Sequence, residues 1–307
     1  MGVSPSDEIR EFLEWLDKQS DSLRIEAIQE MRTWLDLQEA TRAPLSGSKK
    51  AAKDPFEGLP GKFGMIGDSP SMKEVFTVLG KIIQTDVPVL VLGESGVGKE
   101  LIARALHKYG PRRKEKLLAV NCAAISPNLL ESELFGHKRG SFTGAHKDRK
   151  GYAEEADGGT LFLDEIGEMA PDLQAKLLRF LQDGELRPVG GNQIRKVDVR
   201  VVAATNKDLE KQVLSGVFRE DLYYRLAVIS LKVPSLRERK EDIGHLARYL
   251  MARNSLEGLP SAEILDDLIP ELQERDWPGN IRELQNELTR AAAFSKGETL
   301  SRDSFKK

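Results

Sequence analysis

A glycine-rich segment in the first third of the chain has the composition of a phosphate-binding loop. It consists of Gly93, Glu94, Ser95, Gly96, Val97, Gly98, Lys99 and Glu100. An apolar run, 87–92, precedes it, and a helix-favouring stretch starts at residue 101. Glycines let successive backbone N–H groups converge on phosphate oxygens, the helix start adds positive potential, and Lys99 adds a point charge. An ordinary glycine-rich turn is the alternative, but the flanking strand and helix favour a nucleotide-phosphate loop.

Two carboxylates further along could bind a metal and accept a proton. The residue after Lys99 is Glu100, where the general motif has a Ser or Thr hydroxyl for Mg²⁺, so the metal needs another ligand. The apolar run 160–163 ends in Asp164 and Glu165. Beside a nucleotide, Asp164 would hold Mg²⁺ through water and Glu165 would polarise the attacking water. Taken by itself, such a pair of acids usually marks the point where a strand enters a solvated loop. The phosphate loop on another strand makes the catalytic interpretation the favoured one.

A third apolar run, 199–204, ends in a polar residue at the same kind of position. Thr205 and Asn206 follow it, and the Asn206 amide could orient the attacking water. Taken by itself, Asn206 would be interpreted as a turn residue.

Short apolar runs alternate with helical stretches from about residue 64 onward. The predicted strands are 87–92, 117–120, 160–163 and 199–204, and the predicted helices are 71–83, 100–109, 127–135 and 171–183. This alternation predicts an α/β fold with a mostly parallel sheet flanked by helices. After Pro234 only helical patterns remain, at 240–252, 261–274 and 280–296, which predicts a small all-helical domain.

The N-terminal part of the chain differs from the rest. Residues 4–40 carry two amphipathic helical stripes, and a Ser-, Gly- and Pro-containing stretch follows them. The predicted organisation is a helical segment at 1–45 for dimerisation or regulation, a linker at 46–63, an α/β domain at 64–236 and a helical domain at 237–307.

Composition excludes several classes of protein. The 307 residues allow about two domains, and 46 basic against 49 acidic side chains give a net charge of −3, without the basic excess of a nucleic-acid binder. A single cysteine, Cys122, indicates a reducing compartment. No apolar run reaches the roughly 18 residues of a membrane helix, and the first residues do not resemble a signal peptide. A cytoplasmic protein without membrane contact is therefore expected.

With these three strand ends in order, the chain resembles the central AAA+ ATPase domain of bacterial sigma-54-dependent transcription activators. The resemblance covers about residues 64–300 and is most specific at 133–145. The end of that stretch resembles the family's GAFTGA loop, which contacts the sigma-54 factor, and we call it the first loop (residues 140–145). It consists of Gly140, Ser141, Phe142, Thr143, Gly144 and Ala145. Ser141 replaces an alanine at small change in volume. Without the resemblance, Phe142 would be expected to pack back into the domain.

The resemblance implies roles for further residues. Asn121 would pair with the catalytic Glu165, and residues 187–196, the second loop, would support the first loop. Arg282 would be the sensor arginine that points at the nucleotide phosphates. The sequence itself predicts that Asn280 caps the helix carrying Arg282, with Glu283 reaching back in a capping box.

Residues 218–226 resemble the segment that supplies arginine fingers. Arg219 and Arg225 would reach the γ-phosphate bound by a neighbouring subunit, so the resemblance implies a hexameric ring. Without it, both arginines would be interpreted as solvated surface charges.

The function implied is Mg²⁺- and ATP-dependent remodelling of sigma-54 RNA polymerase holoenzyme to open promoters. The basic run 146–150 could make a non-specific contact with promoter DNA, and after Ser301 too few residues follow for a helix-turn-helix. Two alternatives remain open from the sequence. One is a ring-forming nucleotide switch that hydrolyses little ATP, and the other is an AAA+ remodeller of a different protein.

Overall fold

The structure, a computed structural model, describes residues 60–142, 145–295 and 299–305. These residues belong to one unit, Ala52–Lys307. The helices predicted within residues 4–40 and most of the predicted linker lie outside the described residues.

Strands and helices alternate along the first two thirds of the described chain. The strands are β1 (Gly61–Lys62), β2 (Met65–Ile66), β3 (Val89–Leu92), β4 (Leu117–Asn121), β5 (Thr160–Asp164), β6 (Glu185–Leu186), β7 (Arg195–Lys196), β8 (Arg200–Thr205) and β9 (Ile229–Lys232). The α-helices are α1 (Pro70–Ile82), α2 (Lys99–Lys108), α3 (Pro127–Phe135), α4 (Tyr152–Glu155), α5 (Pro171–Asp183), α6 (Leu209–Leu214), α7 (Glu220–Leu226), α8 (Ile243–Leu256), α9 (Leu268–Glu274) and α10 (Asn280–Phe294). Short 3₁₀ turns occupy Ile166–Glu168, Leu236–Glu238, Lys240–Asp242 and Arg302–Phe305. In the described ranges, no helix combines the length and apolar character needed to cross a membrane.

Five strands form a parallel sheet in the order β4-β5-β8-β3-β9. Their carboxyl ends meet at one edge, because Leu92 pairs in register with Thr205 and Lys232 while Asn121 pairs with Asp164. The predicted parallel α/β fold is confirmed, and all three strand ends singled out in the sequence lie on this edge.

Helices cover both faces of the sheet. Helices α3, α5 and α7 pack on one face, around Leu134, Leu177 and Leu222. Helices α1 and α2 pack on the other, around Leu79 and Ile102. Strands β3 and β8 are therefore buried on both sides, which explains their nearly continuous apolar sequences.

A buried arginine fixes the helix that follows the phosphate loop. Arg200, at the start of β8, is 1% exposed and donates to the carbonyls of Ile82, Ile83 and Leu106 at 3.2, 3.4 and 3.2 Å. These carbonyls lie at the C-terminal ends of α1 and α2, where helix carbonyls lack partners within the helix. Arg200 thus holds the far end of α2 against the sheet.

Helices α8, α9 and α10 form a C-terminal helical domain with its own core, which we call the lid (residues 243–294). Leu246, Leu268, Trp277, Leu284 and Leu288 are each at most 4% exposed and belong to one cluster. The C-terminal part of the chain is therefore helical, as the sequence predicts.

The structure contains short elements that the sequence did not predict, namely β2, β6, β7, α4, α6 and α7, and it differs from the expectation in three further ways. Strand β9 was not predicted, because it is a short edge strand directly after a helix. Residues 261–267 of the predicted helix 261–274 are not helical, because Ile264 forms a parallel bridge with Leu300, in which the Leu265 N–H donates to Leu300 O and the Leu300 N–H donates to Glu263 O. Residues 61 and 62, within the predicted linker, pair with β2 in a short hairpin.

Candidate active site

The phosphate loop, residues 93–98, joins the end of β3 to the start of α2. Gly96 and Gly98 have φ angles of +77° and +99°, in the left-handed region that favours glycine. Within the described ranges, no protein group accepts a hydrogen bond from the backbone N–H groups of residues 94–98. Consecutive donors without a protein acceptor, immediately before a helix N-terminus, suit the binding of phosphate.

Lys99 is the first residue of α2 and is only 7% exposed. Its Nζ donates to the carbonyl oxygens of Gly93 and Glu94 at 3.0 and 3.2 Å. The same atom lies 3.8 Å from Glu165 Oε1. The ammonium group therefore lies between the loop and the end of β5, where it can neutralise an anion that the loop binds.

Asp164 and Glu165 lie at the carboxyl end of β5. Asp164 Oδ1 accepts the N–H of Glu165 at 2.9 Å. Burial raises the pKa of Asp164, and the negative charge of Glu165 raises it further. Glu165 has a φ of +50°, a strained conformation for a residue with a side chain. Backbone strain of this kind concentrates at functional sites, so the φ of Glu165 supports a functional role for the acid pair.

The two candidate amides differ in their relation to Glu165. The backbone N–H of Asn206 donates to Glu165 Oε2 at 3.4 Å, so Asn206 lies beside the carboxylate. Asn121, at the end of β4, instead accepts the N–H groups of Ala123 and Ala124 at 2.9 and 3.2 Å. Among the described residues Asn121 makes no hydrogen bond to Glu165: the turn at Ala123 and Ala124 fixes the orientation of its amide, and the amide NH₂, which such a pairing would use as donor, does not reach the carboxylate.

The lid touches the phosphate loop directly. Arg282 Nη1 donates to Ser95 Oγ at 3.3 Å, and the Ile281 N–H donates to the carbonyl of Gly96 at 3.0 Å. A Cβ on Gly96 would overlap the carbonyl oxygen of Gly279. Arg282 therefore lies next to the loop, as the family resemblance implies, and its role toward nucleotide remains a prediction.

Asn280 does not cap α10, so that prediction is wrong. Gly279 is the residue before the helix, and its N–H donates to Glu283 Oε2 at 2.8 Å. Asn280 has a φ of +55° and turns its side chain away from the helix, toward the phosphate loop. Its amide nitrogen donates to Ser95 O at 3.0 Å and to Glu94 Oε2 at 3.1 Å.

Sequence reasoning missed two arginines near the loop. Arg237 pairs with Glu94, with Nη1 2.9 Å from Oε2, and this bond, together with one from Asn280, lowers the pKa of Glu94. Arg239 is 2% exposed and donates to Val97 O at 3.1 Å, and burial lowers its pKa to about 10. In the sequence both belong to a charged run typical of a solvated surface, and nothing in that run signals burial.

Arg219 and Arg225 lie away from the loop of their own chain. Arg219 precedes α7 and pairs with Asp221, with Nη2 2.7 Å from Oδ2. Arg225, in the last turn of α7, donates from Nε and Nη2 to Leu181 O at 3.1 and 2.9 Å. Neither hydrogen-bonds to a residue of the phosphate loop in the part of the chain that the structure describes.

The first loop is closed at its base. The Gly140 N–H donates to Ala145 O at 2.9 Å, and the Ala145 N–H donates to Phe142 O at 3.0 Å. Phe142 is 37% exposed, and its ring meets that of His137 edge-on with centroids 5.0 Å apart. Residues 143 and 144, part of the predicted sigma-54 contact, lie outside the described residues.

The second loop packs against the first loop and its approach. The Val189 N–H donates to Gly136 O at 2.8 Å, and the Lys138 N–H donates to Val189 O at 2.9 Å. Arg195, in β7 near the end of the second loop, forms an ion pair with Glu154. These contacts attach the second loop to both ends of the segment that carries the first.

The parallel sheet, the phosphate loop with an acid pair on a neighbouring strand end, and the helical lid define a AAA+ P-loop NTPase. Two family models match the chain: the sigma-54 interaction domain matches residues 65–232, and the AAA+ ATPase lid domain matches residues 237–307. The chain belongs to the sigma-54 interaction domain family.

Known relatives agree with this family. A Nif-specific regulatory protein from Azotobacter vinelandii is 52% identical over 247 residues, covering 79% of this chain and 47% of that protein. The DNA-binding transcriptional regulator NtrC from Bradyrhizobium sp. (strain RP501 Parasponia) is 50% identical over 247 residues, covering 80% and 51%. The chain thus spans about half the length of the curated relatives it matches. A structure of NtrX from Brucella abortus in complex with ATP has a TM-score of 0.71 at 31% identity, covering 94% of this chain and 60% of that one.

The raised pKa of Asp164 predicts that this residue destabilises the fold at neutral pH. The folded protein binds the proton of Asp164 more tightly than the unfolded chain does, so stability falls as the pH rises through the folded-state pKa. Asp164→Asn keeps an oxygen acceptor for the Glu165 N–H and removes the charge. We expect a higher free energy of unfolding at pH 7, measured by urea denaturation, with the gain shrinking as the pH falls toward about 4.

The control for that prediction is Asp266→Asn, at a side chain that is 94% exposed. Its effect should stay within about 0.5 kcal/mol at either pH. A destabilised Asp164→Asn variant at pH 7 would contradict the assignment of Asp164 as a disfavoured buried charge.

Proposed function

We propose that the protein is a Mg²⁺-dependent ATPase. The observation that carries this proposal is the convergence on one loop of the groups that phosphoryl transfer requires. Lys99, Glu165 and Asn206 meet at the carboxyl edge of the sheet, and Arg282 approaches from the lid. Nothing else in the described residues combines consecutive unpaired N–H donors with a buried lysine and an acid pair.

The donor set fits a magnesium ion shared with nucleotide phosphates. Among the described residues no group of three or more His, Cys, Asp or Glu side chains could hold a metal by itself. Mg²⁺ usually takes one or two carboxylates together with phosphate oxygens and waters, which matches a site built on Asp164. Within the described ranges the Asp164 carboxylate accepts one hydrogen bond, from the Glu165 N–H, so it has lone pairs left for a metal or a metal-bound water. When bound, the ion neutralises charge on the phosphate oxygens.

Glu165 is proposed to be the base in hydrolysis. It would accept a proton from a water molecule whose oxygen attacks the γ-phosphorus, while the bond from that phosphorus to the ADP oxygen breaks. Asn206 would orient the same water, and Lys99 and Arg282 would stabilise charge on the phosphates. Asn121 would pair with Glu165 in another state of the cycle and keep it from the water.

Arg219 and Arg225 are proposed to complete the site of a neighbouring subunit. Both lie on the surface and neither reaches the phosphate loop of its own chain. An arginine that acts on the next subunit requires head-to-tail assembly, and closure of that assembly gives a ring, here a hexamer.

The first loop is proposed to contact the sigma-54 factor of RNA polymerase. Hydrolysis would move this loop, remodel the holoenzyme and open the promoter in the cytoplasm, and the basic run 146–150 could touch promoter DNA. The half-exposed ring of Phe142 supports this role. It offers an apolar contact surface, and its packing against His137 holds it in place.

Glu165→Gln tests the catalytic assignment. We expect ATP turnover to fall by about 10²–10⁴-fold with ATP affinity nearly unchanged, because the substitution removes the base and keeps the shape. Steady-state phosphate release and nucleotide binding measure the two effects. Glu168→Gln is the matched control, since Glu168 lies three residues on and pairs with Lys207 at the surface. A turnover of Glu165→Gln close to that of Glu168→Gln would refute the role.

Mixed assemblies test the arginine fingers. Glu165→Gln and Arg219→Ala should each be inactive, yet a 1:1 mixture should regain about a quarter of the full turnover, because a quarter of random interfaces unite an intact base with an intact finger. A mixture of Arg219→Ala with Arg225→Ala is the control, and it should stay inactive, since every subunit then presents a defective finger. Recovery in that control, or none in the first mixture, would contradict action in trans.

Phe142→Ala tests the partner. In pull-down with the sigma-54 factor and ADP–aluminium fluoride, we expect binding to fall by about tenfold or more while ATP turnover changes by less than about twofold. Leu256→Ala, at an apolar lid residue that is 53% exposed, is the control and should bind normally. Undiminished binding by Phe142→Ala would count against the first loop as the contact.

A further inference from the structure

Three consecutive carbonyl groups of the phosphate loop accept hydrogen bonds from outside the α/β sheet. Ser95 O accepts from Asn280 Nδ2 at 3.0 Å, and Gly96 O accepts from the Ile281 N–H at 3.0 Å. Val97 O accepts from Arg239 Nη2 at 3.1 Å. The first two donors belong to helix α10 of the lid. The third belongs to the connector (residues 233–242) between β9 and α8.

Asn280 occupies the centre of this arrangement. Its side chain is fully buried and makes hydrogen bonds in two directions. Oδ1 accepts the N–H of Leu236 in the connector at 2.7 Å, while Nδ2 donates to Ser95 O and to Glu94 Oε2. One amide thus joins the lid, the connector and the phosphate loop.

The chemistry at position 280 requires both halves of the amide. The acceptor must meet a backbone N–H, and the donor must meet a carbonyl and a carboxylate. Glu94 is paired with Arg237. A carboxylate in place of the amide would keep the acceptor, lose the donor and bring a second negative charge against Glu94.

The backbone of residues 279 and 280 also lies against the phosphate loop. Asn280 holds a φ of +55°, which asparagine tolerates better than most residues with a side chain. The carbonyl of the preceding Gly279 lies so close to Gly96 that a Cβ there would overlap it. The lid and the phosphate loop are therefore in direct backbone contact at this point.

We propose that Asn280 is a positioning residue through which the lid sets the phosphate loop for nucleotide binding. It holds Ser95 and Glu94 so that the N–H groups of the loop stay available to phosphate. Displacement of the lid withdraws the amide and lowers nucleotide affinity, which couples domain motion to nucleotide release. This inference rests on the proposed nucleotide site and adds to it a residue that does not itself touch the reacting atoms.

Asn280→Asp in the full chain is the decisive variant. We expect the Kd for ADP to rise by about tenfold or more, which corresponds to the loss of a buried hydrogen bond near a charge. Asn254→Asp is the matched control. Asn254 is an equally buried lid amide, but it donates only to Pro260 O and Thr289 Oγ1 within the lid. It should change ADP affinity by less than about twofold while it lowers the thermal unfolding midpoint.

Two further variants separate positioning from folding. Asn280→Gly suits the left-handed backbone and removes the amide, so it should fold and still lose ADP affinity. Glu94→Gln added to Asn280→Asp should recover part of the affinity, because the new amide can donate to the introduced carboxylate. No recovery in the double variant would contradict a direct contact between the two side chains.

Hydrogen exchange without nucleotide supplies a readout independent of binding. The amide of Ile281, which donates to the carbonyl of Gly96, should exchange faster in Asn280→Asp and Asn280→Gly than in wild type, and at the wild-type rate in Asn254→Asp. ADP binding by Asn280→Asp within twofold of wild type would overturn the inference and leave the nucleotide site standing. A wild-type chain that does not bind ADP would instead refute the proposed function.

Discussion

A phosphate loop can offer its N–H groups to a ligand only if the carbonyl groups on its other side have partners. In this protein the carbonyls of Gly93 and Glu94 accept from Lys99 at the start of α2, whereas the partners of the next three carbonyls lie outside the α/β sheet. They come from Asn280, Ile281 and Arg239, in the lid and in the chain that leads to it. Since buried carbonyls without donors are costly, the shape of the loop depends on the position of the lid. The α/β domain and the lid are therefore one functional unit.

Helix α5 connects Glu165 with Arg219, Arg225 and the second loop. It starts just after the 3₁₀ turn that follows Glu165, and its C-terminal end leads into β6 and the second loop. Gln174 on this helix accepts the N–H of Arg219 at 2.8 Å, and Leu181 accepts from Arg225. A movement of Glu165 can thus reach both arginines and the second loop through one rigid element. This is a path of direct contacts and of chain connection, and double-mutant cycles can measure its coupling energy.

The sequence predicts those parts of the fold that follow from local chemistry. The glycines before Lys99 predict a loop with left-handed backbone conformations. Apolar runs that end in polar residues predict the strands of a buried parallel sheet. Both bounds of α3 and α5 agree with the prediction because a proline begins each helix and a glycine with positive φ follows it. Parallel strands with a common carboxyl edge then bring the loop and the acid pair together.

The rest depends on contacts between distant residues. The sequence motif predicts a helix cap for Asn280, because asparagine before a Glu at the right spacing usually is one, and only tertiary contact turns its amide to Ser95. Arg239 belongs to a charged run, and its burial follows from the lid position. The family resemblance implies that Asn121 pairs with Glu165, but here a local turn, which the sequence does not reveal, fixes the orientation of its amide.

Favourable and unfavourable contacts meet in the described part of the first loop. Ser141 stands where the resembled motif has alanine, and its Oγ is buried without a hydrogen-bond partner among the described residues. A hydroxyl in that state opposes the folded conformation of the loop by about 1–3 kcal/mol. Contacts at the base oppose this loss, since Asp148 accepts the Arg139 N–H at 2.8 Å and pairs with Lys138. The described part of the first loop thus combines a base held by hydrogen bonds with an unsatisfied hydroxyl at Ser141, a balance that suits the proposed role of the loop in contacting a partner.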